Sequence, residues 1–125
     1  MRSVKKITTE EMKELVNTLN MEGEVIGYVK ATKECIMMNI SDARLLEECG
    51  EGWIMPYEES LYNKTEALSR FIVKRKIKIP EGYKCWKYLR ETGLNYDFDD
   101  FYDRLRLRKL KLWFKNHGIR KFKIA

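Results

Sequence analysis

The sequence predicts an α+β protein, because the pattern of apolar residues changes twice along the chain. In the first half, a stretch with apolar residues at helical spacing is followed by one short stretch rich in Val, Ile and Tyr and another that is mostly apolar. In the second half, three successive stretches return to helical spacing. Apolar residues recurring every three to four positions indicate an amphipathic helix, whereas short β-branched and aromatic stretches indicate strands. We therefore expect an N-terminal helix, a β-hairpin and a short helix, followed by a three-helix C-terminal half.

The first helix is predicted over residues 8–20. Thr8 with Glu11 fits a capping box, in which each side chain satisfies a free backbone N–H group of the first turn. One face of this helix carries Met12, Leu15, Val16 and Leu19. Residues 24–32 and 35–40 are expected to pair as a β-hairpin, because the gap between them is short and polar.

A second, shorter helix is predicted over residues 42–49, with Ser41 as its N-cap and Gly50 at its end. Residues 51–59 contain a glycine and a proline, so they are expected to form a loop. This loop is also the position at which the chain is expected to divide.

The charge of the chain is distributed unevenly. Residues 1–62 carry 7 Lys or Arg against 12 Asp or Glu, whereas residues 63–125 carry 18 against 7, which gives a net charge of −5 and +11. We expect an acidic α/β half over residues 1–59 and a basic, mainly helical half over residues 60–125, unless the two form one compact domain. Such an asymmetry points to nucleic acid or another anionic partner.

The basic half is predicted to contain three helices. The first covers residues 63–76, with Asn63 as N-cap, and a short extended piece follows at 77–79. A second helix is expected over residues 81–92, ended by a glycine, and a third is expected to begin at Asp97.

Residues 104–125 hold nine Lys or Arg and no Asp or Glu. If the third helix continues to Asn116, it carries a basic stripe, with Gly118 at its end: Arg104, Arg108, Lys111 and Lys115. If the segment alternates instead, residues 116–118 form the turn of a hairpin. The helix is favoured, because Leu, Lys and Arg are good helix formers and residues 104–118 contain no β-branched side chain.

The order of a helix, a short extended segment, two further helices and a terminal hairpin resembles the winged-helix variant of the helix-turn-helix class. This resemblance implies binding of nucleic acid through the third helix. In such proteins the N-terminal part of the recognition helix meets the bases. Here that part contains Asp97, Asp99 and Asp100, which would repel phosphate, so the contact is expected at the C-terminal end of the helix or at the hairpin.

Catalytic and metal-binding motifs are missing from the sequence. His117 is the one histidine, the three cysteines form no C-x-x-C pair, and no glycine-rich phosphate loop occurs. Asp97, Asp99, Asp100 and Asp103 suit the positive end of a helix dipole better than a Mg²⁺ nuclease site. We expect a non-enzymatic protein without metal or cofactor. The absence of a signal peptide and of a long apolar run predicts a cytoplasmic protein that does not bind membranes.

The leading prediction is therefore a small binding protein that engages nucleic acid or a nucleoprotein through its basic half. Seven residues are expected to contact phosphate: Arg104, Arg108, Lys111, Lys115, Arg120, Lys121 and Lys123. A second rank comprises Arg70, Lys74 and Lys76. Lys and Arg that neutralise phosphates give affinity through the release of counterions.

The alternative is a protein-binding inhibitor or adaptor of the kind found in phages and mobile elements, which could block a nucleic-acid-processing enzyme. The proposed terminal helix has two apolar faces, one with Phe101, Leu105 and Leu112 and one with Leu107, Leu110 and Phe114. One face could cover the core while the other binds a protein partner.

Overall fold

A computed structural model of the chain describes residues 1–17, 23–56 and 61–125. Within these ranges the fold is mixed α+β, with five α-helices and a five-stranded sheet. A short 3₁₀ helix, Val4–Lys6, precedes the first α-helix. In chain order the elements are β1 (Arg2–Ser3), α1 (Thr9–Asn17), β2 (Glu24–Val29), β3 (Glu34–Asn39), α2 (Ile40–Glu48), β4 (Gly52–Ile54), α3 (Lys64–Arg75), α4 (Cys85–Thr92), α5 (Leu94–Asn116) and β5 (Lys121–Ile124).

The predicted helix and hairpin of the first half are present. The backbone N–H of Glu11 donates to Thr8 Oγ1 at 3.2 Å, so Thr8 caps α1. The end of the predicted helix, residues 18–20, lies outside the described residues. Strands β2 and β3 pair antiparallel along their full length, from Glu24 opposite Asn39 to Val29 opposite Glu34.

The start of α2 differs from the prediction. Asn39, not Ser41, is the N-cap, and its side-chain oxygen accepts a hydrogen bond from the backbone N–H of Ser41 at 2.8 Å. Asn and Ser are similarly good caps. The hairpin register decides between them, because Asn39 is the last residue of β3 and the chain turns directly after it.

The predicted loop over residues 51–59 is wrong at its start, because Gly52–Ile54 forms β4 and pairs antiparallel with β2. The loop was predicted partly because Gly52 is a residue type common in loops. A Cβ atom at this position would lie 2.0 Å from the backbone oxygen of Tyr28, so the glycine permits close approach of the two strands. Residues 57–59 of the predicted loop lie outside the described residues.

The three predicted helices of the second half are present, but α4 begins at Cys85 rather than at residue 81, because residues 80–83 form a turn in which the N–H of Tyr83 donates to Pro80 O at 3.0 Å. Asn63 caps α3 by accepting from the N–H of Glu66 at 2.9 Å. The short extended piece expected at 77–79 forms no strand. The third helix begins at Leu94 rather than Asp97, because Gly93 both ends α4 and precedes α5, with a φ of 77°. The helix alternative for the basic terminal segment is confirmed, since α5 runs unbroken to Asn116.

Strand β5 lies inside the sheet, whose order is β1-β5-β3-β2-β4. It pairs antiparallel with β1, where Phe122 lies opposite Arg2, and parallel with β3, where Ile124 lies opposite Cys35. The terminal hairpin is therefore replaced by a strand that joins the N-terminal sheet.

Two hydrophobic cores are connected by α5. The first lies against the sheet and includes Leu110 and Phe114 from α5, together with Phe122. The second lies between α3, α4 and the N-terminal part of α5, and includes Phe71, Leu89 and Phe98. Sheet pairing and apolar packing thus join residues from both sides of position 60. The division into folding units at that position stays a prediction.

No helix within the described ranges is long and apolar enough to cross a membrane.

Candidate nucleic-acid interface

The second half of α5 presents cations on one side of the helix. Arg104, Arg108 and Lys115 are exposed and Lys111 is half-buried. Their spacing of four, three and four residues keeps them within one stripe, as the helical period requires. An adjacent side of the helix is fixed by Leu110 and Phe114, which are fully buried in the first core. Core packing therefore determines which way the cations point.

The C-terminal end of α5 turns sharply into β5. Gly118 has a φ of 69°, its N–H donates to Lys115 O at 3.0 Å, and the N–H of Ile119 donates to Phe114 O at 2.9 Å. These two hydrogen bonds form a Schellman motif, with its usual apolar contact supplied by Ile119 and Phe114 in the same core. The motif places Arg120 and Lys121 directly beside the last turn of the helix.

A third chain segment approaches from the N-terminus. The backbone N–H of Val4 donates to Arg120 O at 3.0 Å, and Ser3 lies opposite Lys121 in the β1–β5 pair. Val4 is buried in the first core. This pairing brings the adjacent Lys5 to the same surface as the cations of α5 and β5.

These three segments enclose a cleft of about 860 Å³, which we call the α5–β5 cleft. It is lined by Ser3, Val4, Lys5, Arg108, Lys111, Leu112, Lys115, Gly118, Ile119, Arg120 and Lys121. Six of the lining residues are Lys or Arg and none is Asp or Glu. Ordinary protein surfaces mix both signs of charge, so this concentration is unusual.

The six cations of the cleft make no ion pair with any residue that the structure describes. Some cations elsewhere in the chain are paired. Arg106 and Lys13 both contact Asp103, and Arg70 lies 4.0 Å from Glu66. The helix dipole places only about half a negative charge at the C-terminus of α5. The potential in the cleft is therefore strongly positive and suits an anion.

A shallower groove between α3 and α5 adjoins the cleft. One part of it, of about 450 Å³, is lined by Arg70, Lys74 and Arg108 among others. Arg108 also lines the α5–β5 cleft, so it connects the two concavities. The two cations from α3 are less available, because Arg70 lies near Glu66 and Lys74 Nζ lies 5.7 Å from the centre of the Phe101 ring. They extend the basic surface beyond the cleft.

Three predicted contact residues lie apart from the cleft. Arg104 is exposed on α5 but does not line the cleft. Lys76 ends α3 in a left-handed conformation. Lys123 lies on β5 directly opposite Glu34 of β3 and does not line the cleft. The structure thus brings together Arg108, Lys111, Lys115, Arg120 and Lys121 from the predicted seven.

Sequence reasoning missed Lys5. Nothing near it in the sequence marks it as a contact residue, because its position depends on the pairing of β1 with β5 more than 110 residues later. Only a prediction of that long-range pairing would have found it.

The acidic cluster at the start of α5 divides in two. Asp97, Asp99 and Asp100 are exposed, whereas Asp103 is buried, with one carboxylate oxygen bonded to Arg106 and the other 3.0 Å from Lys13 Nζ. Within the described part of the chain, no three His, Cys, Asp or Glu side chains are grouped so as to hold a metal ion. Asp103 therefore acts as a structural partner for two cations.

Comparison with protein-family models, with curated proteins and with solved structures gave no match. The fold and the α5–β5 cleft define the chain as an α+β protein with a concave cationic surface.

Proposed function

We propose that this protein is a small, non-enzymatic, cytoplasmic protein that binds the phosphate backbone of nucleic acid, free or within a nucleoprotein, through the α5–β5 cleft. The observation that carries the proposal is the cleft itself: six cations from three chain segments line one concavity whose lining contains no Asp or Glu, and they make no ion pair among the described residues. If the cations were only a solvated face of α5, all of them would belong to that helix, whereas Lys5, Arg120 and Lys121 come from other segments.

Binding of this kind gains its free energy from the release of counterions condensed on the nucleic acid. For duplex DNA the logarithm of the binding constant falls with the logarithm of the salt concentration, with a slope of about −0.9 per neutralised phosphate. Six cations therefore set a limit near −5 for the slope. Contacts with phosphate alone carry no base sequence, so the proposal is for sequence-tolerant binding.

The orientation of the bound nucleic acid relative to α5 follows from the charges along this helix. Asp97, Asp99 and Asp100 are exposed near its N-terminus and repel phosphate, whereas the cleft lies at the other end. In the winged-helix-like arrangement that we propose for α3, α4 and α5, the nucleic acid meets the last three turns of α5 and the start of β5. This differs from the usual pose, in which the N-terminal part of the recognition helix is used.

The rival function, a protein-binding inhibitor or adaptor, loses its main support. The two apolar faces of α5 pack on the two cores: Leu110 and Phe114 on one, Leu105 and Phe101 on the other. Leu112 is the exception, with 46% of its surface exposed at the cleft. One exposed leucine is ordinary for a protein surface.

The proposal is tested by fluorescence anisotropy with a short labelled DNA duplex and a labelled single strand, titrated at several salt concentrations. We expect a steep salt dependence for the intact protein. Replacing Lys111 and Lys115 by Gln should reduce the magnitude of the slope by about 2 and weaken binding alike for different sequences.

The matched control is the double variant Lys78→Gln, Lys84→Gln. It removes the same charge from exposed positions on the α3–α4 connection, outside the α5–β5 cleft. Its slope should stay close to that of the intact protein. Absent binding, a flat salt dependence, or an equal loss in the control variant would each overturn the proposal. Stable capture of one acidic protein that nuclease treatment does not release would favour the rival.

A further inference from the structure

A second concavity lies on the other side of the segment that connects α5 to β5. Its volume is about 380 Å³, and its lining includes Lys30, Lys33, Trp53, His117, Arg120 and Lys121. We call it the Trp53 pocket. Arg120 and Lys121 line both this pocket and the α5–β5 cleft, so they form a basic ridge between the two.

The Trp53 pocket has four cations and a histidine among its nine lining residues, and none of the nine is Asp or Glu. Its size falls at the lower end of the range for small-ligand sites. The cleft is more than twice as large. An extended chain of phosphates fits the cleft, whereas the pocket fits one charged group.

Lys30 is held in place before any ligand arrives. Its ammonium group donates to the backbone oxygen of Gly50 at 3.0 Å and lies 4.4 Å from the centre of the Trp53 ring. A cation fixed in this way loses little side-chain entropy when an anion binds. It also covers the Trp53 ring, so the pocket offers charge rather than a free face for stacking a base.

Lys33 occupies the pocket at an energetic cost to the backbone. Its φ of 58° lies in the left-handed region. This conformation is unfavourable for any residue with a Cβ atom but not for glycine. Two hydrogen bonds keep it there: its N–H donates to Val29 O at 2.8 Å and its carbonyl accepts from the N–H of Lys123 at 3.0 Å. A turn position that favours glycine thus carries a cation that lines the pocket.

His117 supplies a further group. Its Nδ1 donates to Trp113 O at 2.8 Å, since a carbonyl oxygen can only accept. The ring lies against Trp53 and Trp113, with centre-to-centre distances of 4.8 and 4.3 Å. These contacts fix the plane of the imidazole at the pocket wall.

We infer that the Trp53 pocket binds the terminal phosphate of a nucleic-acid strand whose backbone lies in the α5–β5 cleft. A terminal phosphate monoester carries about −1.5 to −2 charges at neutral pH, whereas each internal phosphate carries one. The compact group of cations suits the higher charge. Arg120 and Lys121 line both concavities, so the pocket adjoins the cleft. The inference rests on the proposed function, because it takes the strand in the cleft as given.

The test compares one labelled single strand in three forms: with a 5′-phosphate, with a 3′-phosphate, and with hydroxyl groups at both ends. We expect one phosphorylated form to bind about tenfold more tightly than the hydroxyl form, because one or two charge-assisted hydrogen bonds are added. The variant Lys33→Gly removes a pocket cation and also relieves the left-handed backbone, so it should fold. It should lower this preference to about twofold or less.

Lys76→Gly is the matched control. Lys76 is the other described lysine with a positive φ, at 52°, and it lies outside both the pocket and the cleft. The same substitution there should leave the preference for a phosphorylated end unchanged. His117 is the only histidine of the chain, so its ring protons give a direct NMR signal of the pocket. That signal should shift with the phosphorylated strand and much less with the hydroxyl form.

The outcomes separate the two proposals. If neither these strands nor the duplex of the first test binds, the proposed function fails and the inference fails with it. If the duplex alone binds, the inference is overturned while the proposed function stands. If all three strands bind equally and the His117 signal does not distinguish them, the inference is overturned while the proposed function stands. If the three strands bind equally but inorganic phosphate alone shifts the His117 signal, the strand-end assignment is overturned in favour of free phosphate.

Discussion

Lys13 Nζ lies 3.0 Å from Asp103 Oδ2, and this ion pair connects α1 to the middle of α5. The Asp103 side chain is 12% exposed, and its other oxygen bonds to Arg106, which is almost completely buried. The two halves of the chain are therefore joined by charge as well as by apolar packing.

We expect Asp103→Asn to lower the free energy of unfolding by about 3 kcal/mol, because it removes the carboxylate charge from a buried ion pair with Arg106. Lys13→Gln should cost less than about 1 kcal/mol, since Lys13 is half exposed and Arg106 still neutralises the carboxylate. Urea unfolding of the two variants measures the difference. Equal losses would show that Arg106 does not depend on Asp103.

Gly118 is expected to be sensitive to substitution for a reason that lies in the backbone alone. A Cβ atom there meets nothing within 4 Å, but the φ of 69° is strained for any residue that has one. Gly118→Ala should therefore cost about 1 kcal/mol in thermal or urea unfolding. Gly118→Asn should cost less, because Asn tolerates the left-handed conformation. A larger loss for Asn than for Ala would contradict this account.

Lys121 and Lys123 provide a close comparison within one strand. Both are exposed, but Lys121 lines the α5–β5 cleft, whereas Lys123 lies opposite Glu34. Lys121→Gln should reduce the magnitude of the salt slope for DNA binding by about 1, and Lys123→Gln should change it little. If both variants behave alike, the basic sequence run rather than the cleft determines binding.

Cys35 should make the protein sensitive to alkali. It is 2% exposed, and burial raises the pKa of its thiol from 9.0 to about 12. Between these values the unfolded chain releases the proton that the folded chain retains. The contribution of this thiol to the free energy of unfolding is therefore complete below pH 9 and is lost progressively up to about pH 12. The loss attributable to this thiol is about 4 kcal/mol.

Burial also raises the pKa of Tyr28, with a smaller contribution from the charge of Cys35, and adds to the same effect. Cys35→Ala should flatten the dependence of the unfolding free energy on pH above 9, although the variant is less stable at neutral pH because a buried side chain is lost. An unchanged pH dependence in this variant would assign the alkaline loss to other groups. The exposed Cys49 should react with thiol reagents in the folded protein, while Cys35 should not.

Local patterns predicted most of the helices, because caps and apolar spacing act over a few residues. The N-caps Thr8 and Asn63 and the continuation of α5 to Asn116 are of this kind. The strand β4 was missed because its glycine, usual in loops, serves close contact with Tyr28.

The candidate site was only partly predictable. The stripe on α5 follows from helical spacing, so Arg108, Lys111 and Lys115 could be found together. The contribution of Lys5 and the separation of Lys123 depend on which strands lie beside β5. Those neighbours come from the far end of the chain, and no local pattern encodes them.

The pairing of Arg2 with Phe122 also determines how the molecule must assemble. Nearly the whole chain forms the loop that this contact closes, and we expect the contact to form late, because the entropy of closure is lost before the contact gains free energy. The α5–β5 cleft needs this closure, while α3, α4 and most of α5 do not. We therefore expect a folding chain to carry its basic residues before it has a concave surface on which to use them.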